Sequence, residues 1–198
     1  MSERALDPNG FPLPERPDCA ADAGDFVRAT TSEGNGVGFL LIGTGPSGVV
    51  LGPQDGGDIC QSLPYAEELA TRYRVALFDW KEPRAEVPVL AVAALRDAGV
   101  RKVRPRLAGV LSFGGEHTLL GFDGRAGIRK WRGPLLQISS EHDSYFNSRD
   151  ARQLRALHPG PETVVMLPGQ AHGVDLLDDP GQARVRAAVD RFLARVLG

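Results

Sequence analysis

Three segments of this 198-residue chain set polar, titratable side chains directly behind an apolar run. Pro134-Leu135-Leu136-Gln137-Ile138-Ser139 leads into Ser140-Glu141-His142-Asp143. Val164-Val165-Met166-Leu167 leads into Pro168-Gly169-Gln170-Ala171-His172-Gly173, and Val49-Val50-Leu51 into Gly52-Pro53-Gln54-Asp55-Gly56-Gly57-Asp58. An acid and a histidine in successive loops of this kind can act as a base and its orienting partner. The carboxylate fixes the imidazole tautomer and stabilises the imidazolium formed when the other ring nitrogen takes a proton. Asp143 and His172 are the candidate pair; the same two side chains can also hydrogen-bond for structure alone. In the glycine-rich loop a backbone N–H of Gln54 or Asp55 can meet charge developing on a carbonyl oxygen, and a turn needed only for its backbone angles is the alternative reading.

These loops are useful only if strands hold them at one edge. Phe26 to Thr31 and Val37 to Gly43 flank the turn signal Glu33-Gly34-Asn35-Gly36 and read as an antiparallel hairpin. Val49 to Gly52 is a short strand. The helical pattern after it carries Leu63, Ala66, Leu69, Ala70 and Tyr73 on one face. Val75 to Phe78 is the next strand, followed by a helix lined by Val89, Val92, Ala93 and Leu95 that Gly99 can end in a left-handed conformation. Leu107 to Phe113, Pro134 to Ser139 and Thr163 to Leu167 are continuous apolar runs of the kind found in strands covered on both faces. Helices are expected over Ser148 to Leu157 and along Val185, Ala188, Val189, Phe192, Leu193 and Val196. The alternation predicts an α/β fold: a mostly parallel sheet with helices on both faces and an N-terminal antiparallel hairpin. In such a sheet ligands bind at the carboxyl ends of the strands, where all three loops lie.

Composition narrows the classes of function. A chain of 42 % hydrophobic and 24 % charged residues with net charge −2 is that of a globular protein with no electrostatic bias toward nucleic acid or an anionic membrane. Small molecules or proteins are the expected partners. No apolar run approaches the roughly 20 residues of a membrane span, and the polar, proline-rich start lacks an apolar secretory core, so a cytoplasmic location is expected. Residues 1–24 read as a loosely held arm and 25–198 as one domain. Cys19 and Cys60 are expected to be reduced thiols, and with no CxxC or HExxH pattern neither a metal nor another cofactor is expected.

The segment EHDSYF after its strand resembles the acid turn of the α/β-hydrolase family, whose G-x-x-D pattern ends on the catalytic acid; Asp143 matches the acid, and Ser140 stands in place of the glycine. LPGQAHGVDLLDDP resembles the family's histidine loop, with His172 in the catalytic place. The spacing is like that of the compact, dienelactone-hydrolase-like members. TTSEGNGVGFLLIGTGPSGVVLGPQDGGD is similar to the opening hairpin, third strand and oxyanion loop, and LPYAEELATRYRVALFDW to the first helix and fourth strand. Together these cover most of residues 26 to 198.

The departure is central. The family pattern requires a strand, a G-x-S-x-G nucleophile elbow and a helix after the helix ending near Gly99. This chain passes from Ala98-Gly99-Val100-Arg101-Lys102-Val103 straight to Arg104-Pro105-Arg106-Leu107-Ala108-Gly109-Val110-Leu111-Ser112, and no G-x-S-x-G occurs in it. Either Leu107 to Phe113 is the strand that follows a missing unit, or Leu111-Ser112-Phe113-Gly114-Gly115 is a degenerate elbow with Ser112 as nucleophile and Val110 in place of its first glycine. Cys60, behind the glycine-rich loop, is a further thiol candidate, whereas Ser47 precedes its strand and belongs to a turn. The resemblance implies a carboxylic ester, lactone or thioester hydrolase with a non-standard nucleophile, Ser112 or a water activated by His172. The alternative is a non-hydrolytic small-molecule-binding or cyclase/lyase-type protein on the same scaffold. Loss of a central unit can also expose apolar sheet and favour a homodimer.

Overall fold

The computed structural model describes residues 6–52, 57–79, 86–100, 108–113, 118–119, 122–123, 125–145, 147–178 and 181–198. The chain forms two compact units, Met1–Val103 and Arg104–Gly198.

The first unit is built on the expected hairpin. Strands β1 (Asp25–Thr30) and β2 (Gly36–Ile42) pair antiparallel, from Asp25 opposite Leu41 to Thr30 opposite Gly36. Strand β3 (Gly48–Leu51) leads to helix α1 (Ile59–Ala70), strand β4 (Arg74–Phe78) and helix α2 (Val87–Asp97). The strand order is β1-β2-β4-β3, with β4 antiparallel to β2 and parallel to β3. Alternation along the strands divides their side chains between two faces. Phe39, Leu41, Ala76 and Phe78 meet Val87, Ala91 and Leu95 of α2, and α1 also lies against β4. Asp58 caps α1 by accepting the Gln61 N–H, and Asp79, just past β4, accepts the Ile59 N–H. Gly99, with φ of 86°, ends α2 as expected: its N–H donates to the Arg96 carbonyl and the following Val100 N–H to that of Leu95.

The polar residues ahead of β1 are used as hydrogen-bonding groups. The Asp7 carboxylate accepts from the N–H groups of Asn9, Phe11 and Gly36. The Arg16 guanidinium donates to the carbonyls of Ala20, Ala21, Ala23 and Gly24. A short 3-10 turn, Asp18–Ala20, lies against α1. There Cys19 and Cys60, expected to be free thiols, form a disulfide with their Cα atoms 5.8 Å apart. The expectation failed because the pairing depends on where the 3-10 turn settles, which spacing does not encode. Such a bond persists in oxidising surroundings and is rare in a reducing cytoplasm. It also withdraws Cys60 as a thiol nucleophile. Among the described residues no helix is long and apolar enough to cross a membrane.

The second unit holds a parallel sheet ordered β5-β8-β9, from strands β5 (Val110–Phe113), β8 (Leu135–Ser140) and β9 (Glu162–Leu167). Between β5 and β8 lie a small antiparallel pair, β6 (Thr118–Leu119) and β7 (Phe122–Asp123), and helix α3 (Arg125–Lys130), none of which the sequence periodicity marks. Helix α4 (Ser148–Leu157) packs Ala151 and Leu154 near Val164 and Met166 of β9. Helix α5 (Gln182–Leu197) buries Val185, Ala188, Val189, Phe192 and Leu193 and also reaches β8. Strand β8 is buried at every position, the central location its apolar run predicts. An antiparallel hairpin followed along the chain by parallel strands and helices is the α/β architecture read from the alternation.

Reduction of the native protein should release two thiols per chain in a thiol assay where the untreated protein shows none. A Cys60→Ser variant should lose about 4 kcal/mol of stability in urea unfolding, the chain-entropy figure for cross-linking residues 41 apart.

Glu162, at the amino end of β9, supplies a pH-dependent test. Burial raises its carboxyl above the ordinary value, although His158, Arg155 and a hydrogen bond from the Gln137 amide pull it back. A raised folded-state value means a contribution that is present at acid pH and lost as pH rises through it. Glu162→Gln should therefore unfold at a higher urea concentration than the parent at pH 7, with the difference vanishing near pH 4.

Candidate active site

The second unit brings the acid and the histidine together at the carboxyl end of its parallel strands. β8 and β9 pair in register from Leu135 opposite Glu162 to Ser140 opposite Leu167, so both chains leave the sheet at one level. The two loops are then tied to each other. The Glu141 N–H donates to the Leu167 carbonyl, the His142 N–H to that of Gly169, and the Ser140 hydroxyl to that of Ala171 over 2.8 Å. Gly169 and Gly173, with φ of 103° and 55°, let the histidine loop turn sharply on both sides of His172.

Within this frame His172 Nδ1 lies 2.8 Å from Asp143 Oδ2. The Asp143 side chain is fully buried while that of His172 is 24 % exposed, so the carboxylate sits behind the ring and the ring faces outward. A buried carboxylate needs donors. Asp143 accepts from the Ser139 hydroxyl at Oδ2 over 3.3 Å and from the Tyr145 N–H at Oδ1 over 2.8 Å, as well as from the imidazole. With the Nδ1 proton directed at the carboxylate, Nε2 carries the lone pair: this is the tautomer a general base requires. The acid turn passes straight into α4, whose Asn147 cap accepts the Arg149 N–H while Asp150 accepts the Asn147 N–H. That capping box fixes where the chain must go four residues after Asp143.

Ser112 is placed elsewhere in the sheet. It lies on β5, which flanks β8 on the side away from β9, and its partner in register is Gln137. That level is two residues before Ser139, roughly 7 Å further down the strand, within a regular parallel ladder. Strand β5 pairs directly with the acid-bearing strand β8, an arrangement that both readings of Leu107 to Phe113 allow. Gln54 and Asp55, the candidate oxyanion donors, lie outside the described residues, as do Gly114 and Gly115. Among the described residues no group of three or more His, Cys, Asp or Glu side chains could hold a metal ion.

Two contributors were not singled out from sequence. Ser139 reads as the last residue of an apolar run, and its polarity at a buried position was the available signal. Tyr145 carries no pattern that marks it. Its ring lies against His172 with centroids 4.8 Å apart.

Comparison of the fold finds solved structures that are esterases and α/β serine hydrolases. The esterase Pf2001 of Pyrococcus furiosus is similar with a TM-score of 0.70, 11 % identity and coverage of 100 % of this chain and 99 % of that one. The esterase domain of a Rhodothermus marinus protein matches with a TM-score of 0.68 and 15 % identity over 88 % of this chain and 99 % of that one. A thermophilic esterase from Thermogutta terrifontis has a TM-score of 0.67 and 14 % identity, over 88 % of this chain and all of that one. The chain thus has an α/β-hydrolase-like fold. No protein-family model matches it, and no curated protein sequence does.

Asp143→Ala should cost about 3 kcal/mol in urea unfolding, because the Ser139 hydroxyl, the Tyr145 N–H and the His172 ring lose a common acceptor.

Proposed function

We propose that the protein hydrolyses carboxylic esters, lactones or thioesters, with His172 as general base, Asp143 as its orienting carboxylate and a water molecule as nucleophile. The observation that carries this reading is the 2.8 Å contact between His172 Nδ1 and the buried Asp143 Oδ2, which presents Nε2 as the acceptor on the exposed side of the pair. In this mechanism the water oxygen attacks the carbonyl carbon as its proton passes to Nε2. The imidazolium is stabilised by Asp143 and then returns the proton to the departing alkoxide or thiolate, leaving the free acid and the alcohol or thiol. The position of Ser112, paired with Gln137 inside the β5–β8 ladder, favours water over a serine nucleophile, as does Val110 in place of the first elbow glycine. Substrates carrying a good leaving group suit a site without a covalent intermediate. The hydrolase scaffold shared with the esterases is consistent with this chemistry and does not by itself assign it.

His172→Ala should lower kcat/KM on a short p-nitrophenyl ester or thioester by about 10²–10⁴-fold, and Ser112→Ala should leave it within about two-fold, a change far smaller than loss of a nucleophile produces. A fluorophosphonate should give no stoichiometric serine adduct. Equal rates for parent and His172→Ala would end the general-base reading; loss of activity in Ser112→Ala together with a serine adduct would replace water by Ser112.

A further inference from the structure

Tyr145 touches both members of the acid–histidine pair, by two different parts of the residue. Its backbone N–H donates to Asp143 Oδ1 over 2.8 Å. Its ring lies beside the imidazole of His172, with centroids 4.8 Å apart and planes inclined at 46°. At 62 % exposure this tyrosine is not held by burial in a core. Among the described residues Tyr145 makes its ring contact with His172.

The histidine has a use for such a flank. A single hydrogen bond at Nδ1 sets the distance to Asp143 and leaves the ring free to swing about the Nδ1···Oδ2 direction. A side chain 24 % exposed has open space into which to swing. An aromatic ring at 4.8 Å blocks that motion on one side, and tilted aromatic pairs at this separation attract each other. The main chain of Tyr145 is bonded to the same carboxylate, so the ring and the acid form one support. Contact with the π-system also suits the cationic ring formed when Nε2 takes a proton.

The geometry points to Tyr145 as a positioning residue whose ring, and not its hydroxyl, holds the His172 imidazole in the orientation that presents Nε2 to a reacting group. The kinetic part of this inference rests on the general-base reading; the orientation of the ring does not. Its basis is one residue spanning both catalytic candidates, by a main-chain bond to one and a ring contact to the other.

Tyr145→Phe and Tyr145→Leu separate the ring from the hydroxyl and from the backbone bond, which both variants keep. On a p-nitrophenyl ester, Tyr145→Leu should lower kcat about two- to tenfold with KM little changed, while Tyr145→Phe retains the parent kcat. In a carbon–proton correlation spectrum, with His172 assigned by its absence in His172→Ala, the imidazole signals should keep their ring-current-shifted positions in Tyr145→Phe and move in Tyr145→Leu. Unmoved His172 signals in Tyr145→Leu would overturn the proposal whether or not any ester is hydrolysed. Equal loss of kcat in both variants would overturn the assignment to the ring. Signals that move as expected in a protein without hydrolysis would uphold the positioning contact and sink the general-base reading alone.

Discussion

The carboxylate of Asp143, buried to the last atom, is the constraint around which the second unit is arranged. A charge taken out of water is costly unless donors surround it. Among the described residues its donors include Ser139 at the end of β8, Tyr145 in the acid turn and His172 in the loop after β9. Ser139 and Tyr145 lie within four residues of Asp143 along the chain, whereas His172, 29 residues on, reaches the carboxylate because the parallel register of β8 and β9 brings both strand ends to one level. The same charge that requires this assembly also holds the imidazole in the tautomer suited to accepting a proton.

Strand β8 shows how chemistry and packing share one element. It is buried at all six positions, yet it carries Gln137, Ser139 and Ser140. The two serines at its carboxyl end bind the acid and the histidine loop. Gln137, lower down, bonds Glu162 at the opposite end of β9. Alternation along the strand sends Ser139 to the face of the carboxylate and Ser140 to the other, where it holds Ala171 one residue from the base. One strand therefore supports both partners from opposite faces, an economy that needs two consecutive hydroxyls where an apolar pair would pack more cheaply.

The sequence has no G-x-S-x-G motif, and the proposed function therefore rests on the contact of Asp143 with His172 rather than on a serine. Esterases at 11–15 % identity share the overall fold, so the scaffold survives great sequence change while the reacting groups must be argued residue by residue. The proposed water activation asks little of such a site, since a general base demands only its proton acceptor, its orienting partner and room for a small nucleophile.

Much of this was legible in residue pattern. Period-2 and continuous apolar runs located the strands, Gly99 the end of α2, and Ser148 to Leu157 the bounds of α4, because these depend on local propensity and on burial that repeats with the backbone. The polar residues directly behind two apolar runs marked Asp143 and His172. Pattern was silent on α3 and the β6–β7 pair, which are short and lack a periodic apolar face, and on the Cys19–Cys60 bond, formed across 41 residues. By itself, then, the sequence determined the strand–helix alternation, the two loops that carry titratable groups and the absence of a G-x-S-x-G motif. Tertiary structure alone decided that Asp143 meets His172 at 2.8 Å, that Ser112 pairs with Gln137 and that Tyr145 flanks the imidazole. The reason is physical: local preference acts through near neighbours along the chain, whereas the approach of two loops is set by strand register and by the demand of one buried charge for donors.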